Sequence, residues 1–151
     1  MKKLTNKKGF TLIEMLVVIA IIAVLVAIII PVVSSATTKA AAATDAANMR
    51  SLKAEIVTAY LSDGAGDGKA ISLGTAADGK QTVTVNTSKI KYPAMKAFTV
   101  GETEIAKSDG GTTSTGWTIE FTTATSEFTV KYGGKTIAEI ANVAETGDFP
   151  A

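Results

Sequence analysis

Few side chains in this sequence are suited to chemistry, and the best placed are Thr11 and Glu14. Glu14 is the sole ionisable residue between Phe10 and Val33, inside the run FTLIEMLVVIAIIAVLVAIIIPVV. A carboxylate at the centre of a bilayer-length apolar helix costs about 2.5–3.5 kcal/mol, so it calls for a compensating partner. Two partners suit the spacing. Thr11-x-x-Glu14 has the form of a capping box, with an acid at the positive end of a helix. Alternatively, near the cytoplasmic boundary, the carboxylate reaches the lipid headgroups. The chain contains no His and no Cys, which excludes Ser-His-Asp and Cys-His hydrolases, thiolate nucleophiles and disulfides. Asp63 and Asp67, set among Gly64, Gly66 and Gly68, lack the full calcium-loop pattern and its distal Glu. Gly68-Lys69 is no phosphate loop, because Ala70 stands where Ser or Thr is required. We therefore expect no catalytic residue, no metal site and no cofactor.

The elements that position Thr11 and Glu14 follow from the hydropathy pattern. Between Met15 and Ile30 there is no polar side chain, and Phe10 to Val33 has the length needed to span a hydrocarbon core as a helix. Its β-branched residues disfavour a helix in water. In lipid the backbone must satisfy its own hydrogen bonds, so the helix prevails. Lys2, Lys3, Lys7 and Lys8 precede the run and place the N-terminus in the cytoplasm, with the C-terminal body outside. Removing these four of the 15 basic residues leaves 11 against 14 acidic ones, a net of −3, so nucleic acid is not indicated as a partner. Residues 34–61 read as an amphipathic continuation of the helix, kinked near Pro31. Met49, Leu52, Ile56 and Tyr60 form its apolar stripe.

Residues 62–151 change to strands and turns. The loop Ser62–Lys69 is followed by the alternating segment Gln81–Val85. A weaker strand candidate spans Glu102–Lys107, and Ala94–Phe98 reads as a helical turn or a strand start. Asp109-Gly110-Gly111 is a turn. Trp117–Thr122 and Glu127–Tyr132 are the best strands, with Trp117, Phe121, Phe128 and Tyr132 as core residues. Gly133-Gly134 joins the second to a further strand, Lys135–Ile140. Three or four antiparallel strands need a cover for their apolar face, and the Met49/Leu52/Ile56/Tyr60 stripe supplies it. The fold class is α+β.

The junction Lys7-Lys8-Gly9-Phe10-Thr11-Leu12-Ile13-Glu14 resembles the processing site of type IV prepilins and their pseudopilin relatives. Gly9 matches the residue before the cut, Phe10 the one after it, and Glu14 the fifth mature residue. Pro31 falls where these proteins usually carry a helix-kinking proline. The resemblance implies a pilin fold, with a long N-terminal helical spine packed on a small antiparallel sheet. It divides the chain into a leader 1–9, a transmembrane and filament-core helix 10–33, the helix 34–61 and the head 62–151. It further implies cleavage between Gly9 and Phe10 by a membrane prepilin peptidase, N-methylation of Phe10, and assembly through Phe10, Thr11 and Glu14. In that setting Glu14 pairs with the Phe10 amine of a neighbouring subunit. The expected partners are copies of the chain itself, the prepilin peptidase, the pilus assembly machinery and the bilayer before assembly. Such fibres serve adhesion, twitching motility, biofilm formation or DNA uptake. One departure stands out: no glycine breaks the helix between Val24 and Ile30, where many pilins have one. The lack of a C-terminal disulfide points to a Gram-positive surface. A competence or secretion pseudopilin is the alternative within the class. A single-pass anchored adhesin that does not polymerise explains the apolar segment, but neither Gly9-Phe10 nor Glu14.

Overall fold

The computed structural model describes residues 9–150, so residues 1–8 of the leader, with their four lysines, lie outside the described residues. The chain divides into two compact units, meeting between Ala36 and Thr37. Helix α1, Leu12–Asp63, contributes to both. In the first unit it is apolar on every side, and its large side chains are 46–83% exposed from Leu12 to Val33. Surface of this kind needs lipid or like helices to cover it. Pro31 lies inside the helix and removes one backbone donor.

The second unit is built around the rest of α1. Strands β1 (Ile71–Ala77), β2 (Lys80–Val85), β5 (Trp117–Thr122), β6 (Glu127–Tyr132) and β7 (Lys135–Thr136) form an antiparallel sheet in the order β1-β2-β5-β6-β7. β3 (Phe98–Val100) and β4 (Thr103–Ile105) form a separate two-stranded ribbon. Helix α2, Ile137–Thr146, follows β7. Alternation decides which face is covered. Ile119, Phe121, Phe128 and Val130 are buried together with Met49, Leu52 and Ile56 of α1. Tyr60 is half-buried and completes the contact, its ring 5.6 Å from Phe121 and 5.3 Å from Phe128. The long helix therefore packs on the small sheet, the α+β architecture expected. Tyr132 is buried, and Trp117 is half-buried between Tyr92 and Tyr132, at 5.7 and 4.8 Å.

Several expectations for the head need correction. The segment Lys135–Ile140 is not a strand: pairing stops after Thr136 and α2 begins. The physical reason is a second capping box, Thr136-x-x-Glu139, closed at the far end by Gly147 in the left-handed conformation at φ 93°. Buried Ile140 and Val143 then share one helical face. The sheet also has five strands rather than three or four, because β1 pairs with β2 through a turn at Asp78-Gly79 (φ 50° and 72°). Glu102–Lys107 contracts to Thr103–Ile105 and lies outside the main sheet. The Gly133-Gly134 turn does connect β6 to β7, with φ of 57° and 77°. At Gly110, φ is 73° and an added Cβ would sit 2.6 Å from the Tyr92 carbonyl oxygen, so the turn there admits only glycine.

Candidate functional site at the start of the apolar helix

Gly9, Phe10 and Thr11 precede the helix and are exposed, Phe10 to 80%. Helix α1 starts at Leu12 because Thr11 caps it. The Glu14 N–H donates to Thr11 Oγ1 at 3.3 Å. In return, Glu14 Oε2 accepts from the Thr11 N–H and from Thr11 Oγ1, both at 2.8 Å. Two orphan backbone donors of the first turn are thereby satisfied, and the carboxylate sits at the positive end of the helix dipole. Oε1 takes no hydrogen bond from any described residue. The structure thus brings Thr11 and Glu14 together, with Phe10 one residue away. Pro31, Met49, Leu52, Ile56 and Tyr60 lie further along the same helix, the last four within the head core.

The loop after α1 is organised by charge. Lys69 Nζ donates to the Asp63 carbonyl oxygen at 2.6 Å and to Asp63 Oδ1 at 2.9 Å, which holds the Asp63 carboxyl below its usual range. Among the described residues no three His, Cys, Asp or Glu side chains are clustered in a way that could hold a metal ion.

Sequence reasoning passed over one ionisable residue. Asp45 is fully buried on α1, and both its carboxylate oxygens accept from the Lys96 N–H, at 2.8 and 3.1 Å. Burial pushes its pKa up to about 6, against the opposing pull of that N–H and of the Lys96 ammonium. One turn on, Asn48 Nδ2 donates to the Ala94 carbonyl oxygen at 2.7 Å. Together the two side chains clamp the segment that precedes β3. The available signal was Asp45 at helical spacing with Met49, Leu52 and Ile56, which places an acid on the apolar face.

Compared with known families, residues 4–30 match the prokaryotic N-terminal methylation motif, the class III signal peptide of type IV pilins. Comparison with curated proteins and with solved structures gives no significant match. The motif supports a type IV pilin-like or pseudopilin protein, a family of structural subunits rather than enzymes. It implies processing by a prepilin peptidase and assembly into a pilus-like structure. The apolar helix is consistent with membrane anchoring before assembly.

Proposed function

From the premise that the chain carries the N-terminal methylation motif of type IV pilins, we propose that it is a major pilin. In this reading it is cut between Gly9 and Phe10, N-methylated on Phe10, and polymerised through residues 10–33 into an extracellular fibre. One observation carries it: a bilayer-length apolar helix with a single acid, Glu14, held in the first turn beside Phe10.

The steps follow from physical chemistry. Cleavage before the helix removes the lysines yet retains the apolar rod, which rests in the bilayer as a monomer. Extracted from lipid, the rod escapes water only among other rods, so hydrophobic burial drives a helical bundle. A new α-amine on Phe10 is a cation that each arriving subunit brings to the bundle. Glu14, with Thr11 on Oε2 and no hydrogen bond to Oε1 among the described residues, accepts that amine from a neighbour in this reading. Pairing neutralises two charges in a low-dielectric core and sets the axial register. Gly9 fits the same account. In this reading the glycine serves the peptidase, and among the described residues a Cβ there would meet nothing within 4 Å. Pro31, inside the same helix, removes one backbone donor there. Adhesion, motility, biofilm formation and DNA uptake are the uses open to such a fibre.

Mass spectrometry of material sheared from cells tests the reading. A filament subunit beginning at methylated Phe10 is expected. Intact chains beginning at Met1 and confined to the membrane would replace it with the anchored, non-polymerising alternative.

A further inference from the structure

The head holds a polar cavity of about 440 Å³ that the fibre reading does not use. Its size is that of a small-molecule site, about 300–1,000 Å³. Three segments enclose it: residues 104–109 of β4 and its exit, residues 113–116 on the approach to β5, and the β6–β7 turn at Gly133. Backbone contacts fix these walls. Ser108 and Met95 exchange two hydrogen bonds, at 2.8 and 3.1 Å, and the Gly133 N–H donates to the Gly116 carbonyl oxygen at 2.9 Å. Ser108 and Tyr132 line the cavity from within the fold, only 7% and 2% exposed. Tyr132 Oη donates to the Ala106 carbonyl oxygen at 2.9 Å, which locks the ring. Gly116, at φ 84°, lets the backbone press against that ring, since an added Cβ would stand 2.8 Å from Tyr132 Cε2. The concavity is built into the fold.

The rim identifies the class of ligand. Glu104, Thr113 and Thr115 are exposed, and their side chains have no partner among the described residues. Lys107 and Asp109 pair with each other at 2.6 Å, so the rim carries one uncompensated charge, that of Glu104. A negative rim disfavours phosphates, sulfates and acidic sugars. Two carboxylates, one of them already engaged, also fall short of a metal site. A carboxylate accepts from hydroxyls, and threonine hydroxyls both donate and accept. Such a rim around an aromatic ring is the complement of a neutral molecule with many hydroxyls and apolar C–H faces, which is a sugar. Trp117 follows Gly116, and its ring lies 4.8 Å from that of Tyr132. Its Nε1–H is buried without an acceptor among the described residues, and a buried donor calls for a polar partner.

We propose that this cavity binds a neutral saccharide, with Glu104, Thr113 and Thr115 on its hydroxyls and Tyr132 against its apolar face. The site lies wholly within the head, so the inference does not rest on the fibre reading. An open rim makes each contact weak, and copies carried together add avidity.

Trp117 is the only Trp of the chain and a reporter beside the cavity. The full-length chain, in a detergent without a sugar headgroup, is titrated with glucose, galactose, N-acetylglucosamine, lactose and their methyl glycosides. Trp117 fluorescence and backbone amide NMR shifts are followed together. At least one sugar is expected to bind in the millimolar range, with shifts centred on residues 104–116 and 132–133. Equal binding of its methyl glycoside assigns a glycan end rather than a free sugar. Glu104 and Thr115 are exposed and unpartnered among the described residues, so the fold tolerates their substitution. Glu104→Gln and Thr115→Val should each weaken that sugar about fivefold, the scale of one hydrogen bond. The matching uronic acid should bind more weakly than the neutral sugar. No shift with any of these sugars, shifts away from the cavity, affinity indifferent to both substitutions, or tighter binding of the uronic acid overturns the proposal, even if filaments form. Sugar binding at the cavity by a chain that never forms filaments sinks the fibre reading instead and leaves the site standing.

Discussion

The chain contains the same capping box twice. At Thr11–Glu14 the three hydrogen bonds measure 2.8, 2.8 and 3.3 Å. At Thr136–Glu139 they measure 2.8, 2.7 and 3.3 Å. Local geometry therefore does not distinguish them; surroundings do. Glu139 opens a ten-residue helix whose apolar face is already buried, and Lys135 Nζ lies 3.4 Å from its Oε1. Glu14 opens a helix whose apolar surface is exposed on every side, and among the described residues Oε1 has no such companion. A capping box next to a satisfied core is a structural device. The identical box at the head of an unsatisfied rod leaves a carboxylate available to a second molecule.

The sharpest way to break this comparison is to remove each acid. Glu14→Ala should abolish filaments, because it leaves the Phe10 amine of each neighbour without its counter-charge in a low-dielectric core. Glu139→Ala should leave filament yield near normal and only weaken the head. Thr11→Ala separates the two roles of Glu14, since it takes away the cap, worth about 1 kcal/mol, and keeps the carboxylate. Quantifying sheared filaments by electron microscopy and immunoblot decides the matter. Equal losses for Glu14→Ala and Thr11→Ala would reduce Glu14 to a cap.

A third carboxylate on backbone N–H sharpens the contrast. Glu139 is held below its usual range by the Thr136 N–H and hydroxyl, with Lys135 adding to the effect. Asp45 moves the other way, up to about 6, because burial outweighs the single Lys96 N–H that both its oxygens share. The folded chain therefore keeps a proton on Asp45 between about pH 4 and 6 that the unfolded chain has lost. Stability from this group is full at about pH 4, falls as pH rises to 6 and is flat beyond. Two units correspond to on the order of 3 kcal/mol. Asp45→Asn keeps an acceptor for the Lys96 N–H, so it should be markedly more stable than the parent at pH 7 and close to it at pH 4. Urea unfolding of the full chain in detergent at both pH values measures this. A difference unchanged with pH would show that the Asp45 proton is irrelevant to folding.

Which features were legible in the sequence follows from how local their causes are. The apolar helix declares itself by uninterrupted hydropathy, and Thr11–Glu14 by a spacing of three. β5 and β6 show through Ile119/Phe121 and Phe128/Val130 alternating with polar neighbours. Lys135–Ile140 misled because K-T-I-A-E-I also alternates. The Thr136/Glu139 box and the later Val143 reveal the helix only when the window extends to Gly147. β1 was passed over since ISLGTAA mixes small residues with a glycine, as an edge strand tolerates, though Asp78-Gly79 is a hairpin signal. The environment of Asp45 was out of reach, because Lys96 lies 51 residues away and contact between them exists only after folding.

Thr136→Ala tests the structural box alone. It should cost the head about 1 kcal/mol, the usual worth of a hydroxyl cap. Its pH dependence runs opposite to that of Asp45. The depressed Glu139 stabilises the fold above the ordinary carboxylate pKa, and that contribution is lost as pH falls through its lowered folded value. The parent should therefore exceed Thr136→Ala most at neutral pH, with the gap closing in acid. A gap that widened in acid would show that Thr136 does not depress Glu139.

A last substitution isolates Lys135, the companion that Glu139 has and that Glu14 lacks among the described residues. Its ammonium serves two acceptors, Glu139 Oε1 at 3.4 Å and the Phe149 ring, 4.5 Å from the centroid. The ion pair is partly exposed, with about a quarter to a third of each side chain in water, so an i,i+4 pair there contributes only a few tenths of a kcal/mol. A surface cation over an aromatic ring adds about 0.5–1 kcal/mol. Lys135→Met preserves most of the apolar stem, so both terms are lost with little change in packing. The expected loss is under about 1.5 kcal/mol and should shrink when Phe149→Leu is already present, because the two residues share one contact. If instead the loss from Lys135→Met is independent of Phe149, the ammonium supports Glu139 directly. The two boxes would then differ in their charge partners as well as in the surface around them.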